Sequence, residues 1–108
     1  MYYTIYKITC KINNKIYIGQ HTTDDLDDKY FGSGALLKED IKLLGKENFI
    51  KEILYTFDTW EECDLKENQI VNLEFVSRLD TYNCRIGGYS LDKNKEFDYS
   101  NLFIEILR

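Results

Sequence analysis

Two β-branched and aromatic runs, Tyr3 to Cys10 and Lys15 to Gly19, flank the pair Asn13-Asn14, and this arrangement constrains the chain more than any other. Asparagine tolerates the positive φ that tight turns demand, so the runs read as one antiparallel hairpin. With Asn13 and Asn14 as its two loop residues, Ile12 faces Lys15, Cys10 faces Tyr17 and Tyr6 faces His21. Directly opposed side chains share a sheet face. The side-chain period of two then gathers Tyr6, Ile8, Cys10, Ile12, Tyr17, Gly19 and His21 on one face and Ile5, Ile16 and Ile18 on the other. Two phenols and the chain's one histidine are therefore expected to meet. A four-residue loop centred on the same pair preserves that meeting, whereas a slip of one residue destroys it.

A chain of 108 residues with 44% hydrophobic content can bury one modest core but not two. One domain is expected over residues 1–90, with residues 91–108 as an extension packed on or near it. No apolar run approaches the length of a membrane span, and the N-terminus lacks the basic-then-apolar order of a signal peptide, so a cytoplasmic location is expected. Cys10, Cys63 and Cys84 are odd in number and widely spaced, which argues against a disulfide framework and against structural zinc. The net charge of -5 and pI near 4.8 count against a large phosphate-binding surface. Charge distribution softens that objection: Lys7, Lys11 and Lys15 cluster around the hairpin, while Lys38, Lys42 and Lys46 repeat along one helical stretch.

From His21 to Gly34 the chain is polar and reads as a long loop, and such loops inside small domains are usually functional. Leu36, Leu37, Ile41 and Leu44 then recur near helical spacing, predicting a helix over 35–44 with Ser33 as its cap and Gly45 as its stop. Phe49 to Phe57 has the composition and length of a third strand for the hairpin. A longer helix is expected from Asp58 or Thr59 to about Val76, with Trp60, Cys63, Ile70 and Val71 on one apolar stripe. Glu67 lies inside that stripe. Burying an unpaired carboxylate is costly, so Glu67 is either an edge residue that meets a lysine or a ligand for a cation. Tyr82-Asn83 and Ile86-Gly87-Gly88 suggest a turn back to the core, and Leu102 to Leu107 an extra strand or short helix. The fold class is α+β, a small three-stranded antiparallel sheet flanked by helices.

Thr4-Ile5-Tyr6, Asn13-Asn14-Lys15, Tyr17-Ile18-Gly19-Gln20-His21, Tyr30-Phe31-Gly32-Ser33-Gly34, Glu67, Tyr82-Asn83 and Gly87-Gly88 follow one another in an order and spacing that resemble the GIY-YIG nucleases. The likeness covers about residues 2–90 and is greatest to the free-standing phage homing endonucleases. It implies the same three-stranded fold and a metal-dependent endonuclease that hydrolyses DNA phosphodiester bonds, with low intrinsic specificity. It also implies roles. Tyr6 would help to deprotonate water, Tyr17 would orient the site, Glu67 would hold Mg2+ or Mn2+, and Asn83 would position groups around them. His21 would be a proton relay or a phosphate contact. A phenol, with an ordinary pKa near 10, can act as a base only beside a cation, and Lys15 could serve. A lone carboxylate with open positions suits magnesium, bound weakly without DNA. If the chain is phage-encoded, its location would be the host-cell cytoplasm.

Two departures weaken the likeness. Thr4 replaces the usual glycine, which a strand accepts readily. More seriously, the arginine that the family places after the second triplet is absent from Gln20 to Glu39, leaving Lys29 and Lys38, with Lys15, as phosphate-binding candidates. Lysine lacks the planar fork of arginine. The alternative is thus a catalytically weak or inactive nuclease-fold module that binds DNA or a protein partner, and a partner protein would also be one source of specificity for an active enzyme.

Overall fold

A computed structural model describes residues 1–86 and 89–90. The hairpin is formed by β1 (Tyr2–Cys10) and β2 (Ile16–Thr23), and β3 (Phe49–Phe57) pairs antiparallel with the other side of β1, giving the order β2-β1-β3. This is the expected α+β sheet.

The register differs from the expected one. Tyr6 faces Gly19, Ile8 faces Tyr17 and Thr4 faces His21. Lys11 to Asn14 form a four-residue loop, closed by the Cys10 N–H bond to the Lys15 carbonyl at 2.9 Å and ended by Asn14 at φ 60°. The loop is centred one residue earlier than the Asn pair, which moves each partner by two positions. A shift of two conserves the faces, so the phenols still meet and only the pairing within the face changes. His21 thereby loses its expected partner Tyr6, and Cys10 its expected partner Tyr17.

Each sheet face packs a separate core. Tyr6, Ile8 and Cys10 bury against Leu37 of α1 (Ala35–Leu44), Phe49 and Tyr82. Ile5 and Ile18 bury against Cys63 of α2 (Trp60–Ile70), Val71, and Leu73 and Val76 of α3 (Leu73–Val76). Cys10, Cys63 and Cys84 are thiols rather than disulfides.

α1 has the expected bounds, but Gly34 rather than Ser33 is its N-cap, without a side-chain bond. Gly45 does end it, at φ 91°, a conformation that side chains with a Cβ avoid. Thr59 caps α2 as expected, its hydroxyl accepting from the Glu62 N–H at 3.3 Å. The single helix expected to reach Val76 is instead two. Val71 leaves helical geometry at ψ 65°, and the Asn72 side chain caps a new turn by accepting from the Phe75 N–H at 2.9 Å. Trp60 also departs from the expected stripe, standing 51% exposed, whereas Cys63 and Val71 are buried.

After Asn83, β4 (Arg85–Ile86) pairs antiparallel with β5 (Tyr89–Ser90) in a separate two-stranded sheet. The expected roles of Gly87-Gly88, of the 91–108 extension and of the Leu102 to Leu107 run lie outside the described residues. Among the described residues no helix is long and apolar enough to cross a membrane.

Candidate active site

β2 is an outer strand, and its free edge builds the site. The chain from Thr81 to Asn83 runs along that edge. Thr81 bridges Ile16 in parallel, and the Tyr82 N–H donates to the Ile16 carbonyl at 2.8 Å. Asn83 then spends both ends of its carboxamide on the backbone of Ile18, accepting from its N–H at 2.9 Å and donating to its carbonyl at 2.7 Å. Asn83 thus imitates one more residue of sheet. Beyond it the edge opens into a cleft of about 710 Å³ walled by β2, the start of α1 and α2.

Tyr6, Tyr17, Glu67 and Asn83, four of the five residues expected to be catalytic, line this one cleft. Tyr6 is 1% exposed, and it reaches the cleft because Gly19 lacks a side chain. A Cβ on Gly19 would stand 2.5 Å from the Tyr6 hydroxyl oxygen and 2.7 Å from Cζ. Tyr17 has the same relation to Gly34, where a Cβ would fall 2.6 Å from its ring. The two phenol rings are 6.1 Å apart. Burial pushes the Tyr6 hydroxyl far above the ordinary phenol range, and the neighbouring Tyr17 and Tyr30 hydroxyls push the same way. Tyr17 is raised by burial too, with the Ser33 hydroxyl opposing. Both are therefore neutral phenols.

Glu67 faces them from α2. Burial raises its carboxyl, and Asp64, one helical turn earlier, raises it further, while the Gln20 backbone amide opposes. Asp64 is held by the side chains of Gln20 at 3.3 Å and Asn68 at 3.5 Å. No lysine or arginine lines the cleft among the described residues.

His21 stands elsewhere. Its ring stacks on Tyr30 at 3.8 Å and its Nε2 pairs with the Asp28 carboxylate at 2.8 Å. Tyr30 in turn meets Tyr6 edge-on at 5.8 Å, so the histidine reaches the phenols through a third tyrosine. Asp28 also accepts from the Thr23 hydroxyl at 2.7 Å and the Tyr30 N–H at 3.1 Å. Thr23 and His21 hold its carboxyl down to about 2. Lys15, expected beside Tyr6, lies over the Tyr82 ring at 5.7 Å. The cation over Tyr6 is Lys51, 5.3 Å from the ring centre and bonded to the Tyr30 carbonyl at 2.6 Å. Lys29 and Lys38 are exposed and outside the cleft.

Sequence reasoning missed Gln20, Asp64, Asp28, Tyr30 and Lys51 as site residues. Two left a signal. Asp64 precedes Glu67 by three, which places both carboxylates on one side of a helix. Lys51 faces Ile8 across the β1–β3 pair, and so shares the face of Tyr6.

A divalent cation is the group that the resemblance implies, and the donors present suit it. Glu67 and Asp64 offer hard carboxylate oxygens. The Gln20 Oε1 atom, in the wall of the same cleft, is buried without a hydrogen-bond partner, as an acceptor awaiting a positive group would be.

Comparison with known proteins agrees with this geometry. The family model for the GIY-YIG catalytic domain matches residues 2–83, slightly less than the stretch expected. The chain is 56% identical over 88 residues to segB and to segD of Enterobacteria phage T4, covering 82% of this chain and 40% of each relative. It is 45% identical over 83 residues to endonuclease segA of the same phage, covering 77% of this chain and 38% of that one. It therefore spans about two fifths of the length of these curated relatives. No solved structure matches it. A sheet edge carrying one buried and one half-buried phenol beside a half-buried carboxylate, and a family match over most of the chain, give one conclusion: the chain belongs to the GIY-YIG catalytic domain family.

Proposed function

We propose that the chain is a DNA endonuclease of the homing or mobile-element type, dependent on Mg2+ or Mn2+ and of low intrinsic specificity, working in the host-cell cytoplasm. One observation carries the reading: the cleft that unites Tyr6, Tyr17, Glu67 and Asn83 holds carboxylates and no cationic side chain among the described residues. Such a cleft repels a phosphodiester unless a divalent cation sits between them. Glu67 would hold the metal, which when bound would supply charge neutralisation at the phosphate and the leaving oxygen.

The protein's own groups do the rest. Tyr17, fixed against Gly34, and Tyr6, fixed beneath Gly19, orient a water by hydrogen bonds. As the water oxygen bonds to phosphorus and a P–O ester bond breaks, the water proton has to move toward the Tyr6 side of the cleft. Tyr6 can accept it only after losing its own proton, which its burial opposes, so cleavage should accelerate with rising pH. Asn83 acts indirectly, by fixing β2 at Ile18 between the two site positions Tyr17 and Gly19. His21 and Asp28 support Tyr6 through Tyr30. The exposed Lys29 and Lys38 and the half-buried Lys15 contact flanking backbone phosphates outside the cleft.

The test is supercoiled plasmid at low salt with Mg2+ or Mn2+, comparing wild type, Glu67→Ala, Tyr6→Phe and an EDTA control. Nicking or linearisation that needs both metal and Glu67 is expected. No cleavage by folded protein with either metal would sink the enzyme and favour the second reading, a weak or inactive module that binds DNA or a protein partner, for which the acidic cleft is the motive.

A further inference from the structure

The metal reading places one ligand, Glu67, in the cleft and leaves two neighbouring groups unused. Asp64 lies a helical turn before Glu67, lines the same cleft and is close enough for their charges to interact. Two carboxylates on one helix face, with no cationic side chain lining their cleft among residues 1–84, repel each other, and a fold keeps such a pair at a cost unless something positive joins them. The second group is Gln20. Its side-chain nitrogen donates to Asp64 at 3.3 Å, which fixes the orientation of the amide and leaves Oε1 as an acceptor, buried and without a partner. Asn68 steadies the other Asp64 oxygen at 3.5 Å. A buried carbonyl oxygen without a donor is uncommon in folded proteins and marks a missing partner.

We propose that Asp64 and the Gln20 Oε1 atom join Glu67 in holding the divalent cation, so that this cleft offers three oxygen donors from two elements, the free edge of β2 and one face of α2. Hard cations take carboxylate and amide oxygens together and keep waters in the remaining positions. The inference rests on the metal reading above and extends it. A three-donor site binds cation measurably before DNA arrives, which a lone carboxylate does not.

Binding of Mn2+ to the DNA-free protein is measured by the loss of the free-ion electron paramagnetic resonance signal, up to about 10 mM Mn2+. Asp64→Asn is expected to weaken binding at least about tenfold, Glu67→Gln at least as much, and Gln20→Met by a smaller factor. Asp58→Asn, a charge removed beyond the N-cap of α2 and outside the cleft, serves as the control and should leave binding unchanged. The difference between wild type and Asp64→Asn should persist in 0.5 M KCl, because ligation is screened far less than distant attraction. Circular dichroism melts confirm that each variant is folded. Equal Mn2+ affinity of wild type and Asp64→Asn overturns the proposal, as does a difference that vanishes at high salt, or a wild type that binds no Mn2+ without DNA. None of these results bears on plasmid cleavage, so failure here and failure of the endonuclease reading are separately visible.

Discussion

The two outer edges of the sheet were built from similar strands and treated in opposite ways. Along β2, Thr81, Tyr82 and Asn83 satisfy backbone groups one by one up to Ile18, and the next stretch of edge is given to the cleft. Along β3, the other outer strand, Ile50, Ile53, Leu54 and Tyr55 are exposed, and no described strand pairs with the outer edge. The inner edge of β3 is also irregular, with a register shift opposite Ile5 and Tyr6 that bends the strand at Leu54. A site that must place two phenols and a carboxylate within ångströms needs a strand that cannot slide. An edge without that duty can stay loosely specified.

The comparison breaks most visibly if the β2 edge proves tolerant. Gly19→Ala sets a Cβ against the Tyr6 hydroxyl, and since real side chains do not approach to 2.5 Å, the phenol or the strand must move. Cleavage should fall about a hundredfold, with a stability cost of about 1–3 kcal/mol in a denaturant titration. A variant that cuts as wild type does would show that Tyr6 need not pass so close.

Asn83→Ala removes the donor and acceptor for Ile18, leaving two buried backbone groups unpaired. It should cost about 3 kcal/mol, read from chemical denaturation, and lower kcat more than DNA affinity. A cost below about 1 kcal/mol would mean that Thr81 and Tyr82 hold the edge alone.

Glu67→Gln separates function from stability. Its carboxyl is raised in the fold, so its charged form destabilises: the penalty is absent below the ordinary carboxylate pKa, grows as pH rises through the folded value, and is complete above it. The variant should therefore melt above wild type at pH 7, by about 4 °C or more for each kcal/mol relieved, and the two should converge below about pH 4.5. Equal melting temperatures at pH 7 would place Glu67 in water.

Asp28 has the opposite sign. Its folded pKa is depressed to about 2, so the stability that its charge contributes is present above the unfolded value near 4 and is lost as pH falls toward 2. Asp28→Asn should lower the melting temperature modestly at pH 6 and match wild type near pH 2. On the β3 edge, Leu54→Lys should change stability by no more than about 0.5 kcal/mol and leave cleavage unaltered. A large loss there would mean that the open edge is specified after all.

Much of this was readable from residues. Alternation bounded the first and third strands and helical spacing bounded α1, and Thr59 announced the start of α2, but β2 runs on to Thr23, three residues into the stretch expected to be loop, because His21 to Thr23 pair with the start of β1. The hairpin centre was not readable, because Lys11-Ile12-Asn13-Asn14 offers a good loop around either of two points, and the choice depends on Asn14 taking the left-handed conformation. The break at Val71 and Asn72 was likewise hidden, since Asn72 is acceptable in a helix and becomes a cap only when the core pulls Leu73 and Val76 inward.

The sequence by itself determined the sheet and its faces, because periodicity is a local property of the chain, and the resemblance it carries grouped Tyr6, Tyr17, Glu67 and Asn83, which the structure brings to one cleft. Tertiary structure decided that Lys51 and not Lys15 covers Tyr6, that His21 stacks on Tyr30, and that Gln20 and Asp64 stand beside Glu67. Those relations join residues separated by up to 47 positions, from Gln20 to Glu67, and only the packing of α2 against β2 and of β3 against β1 sets which side chains share one low-dielectric space.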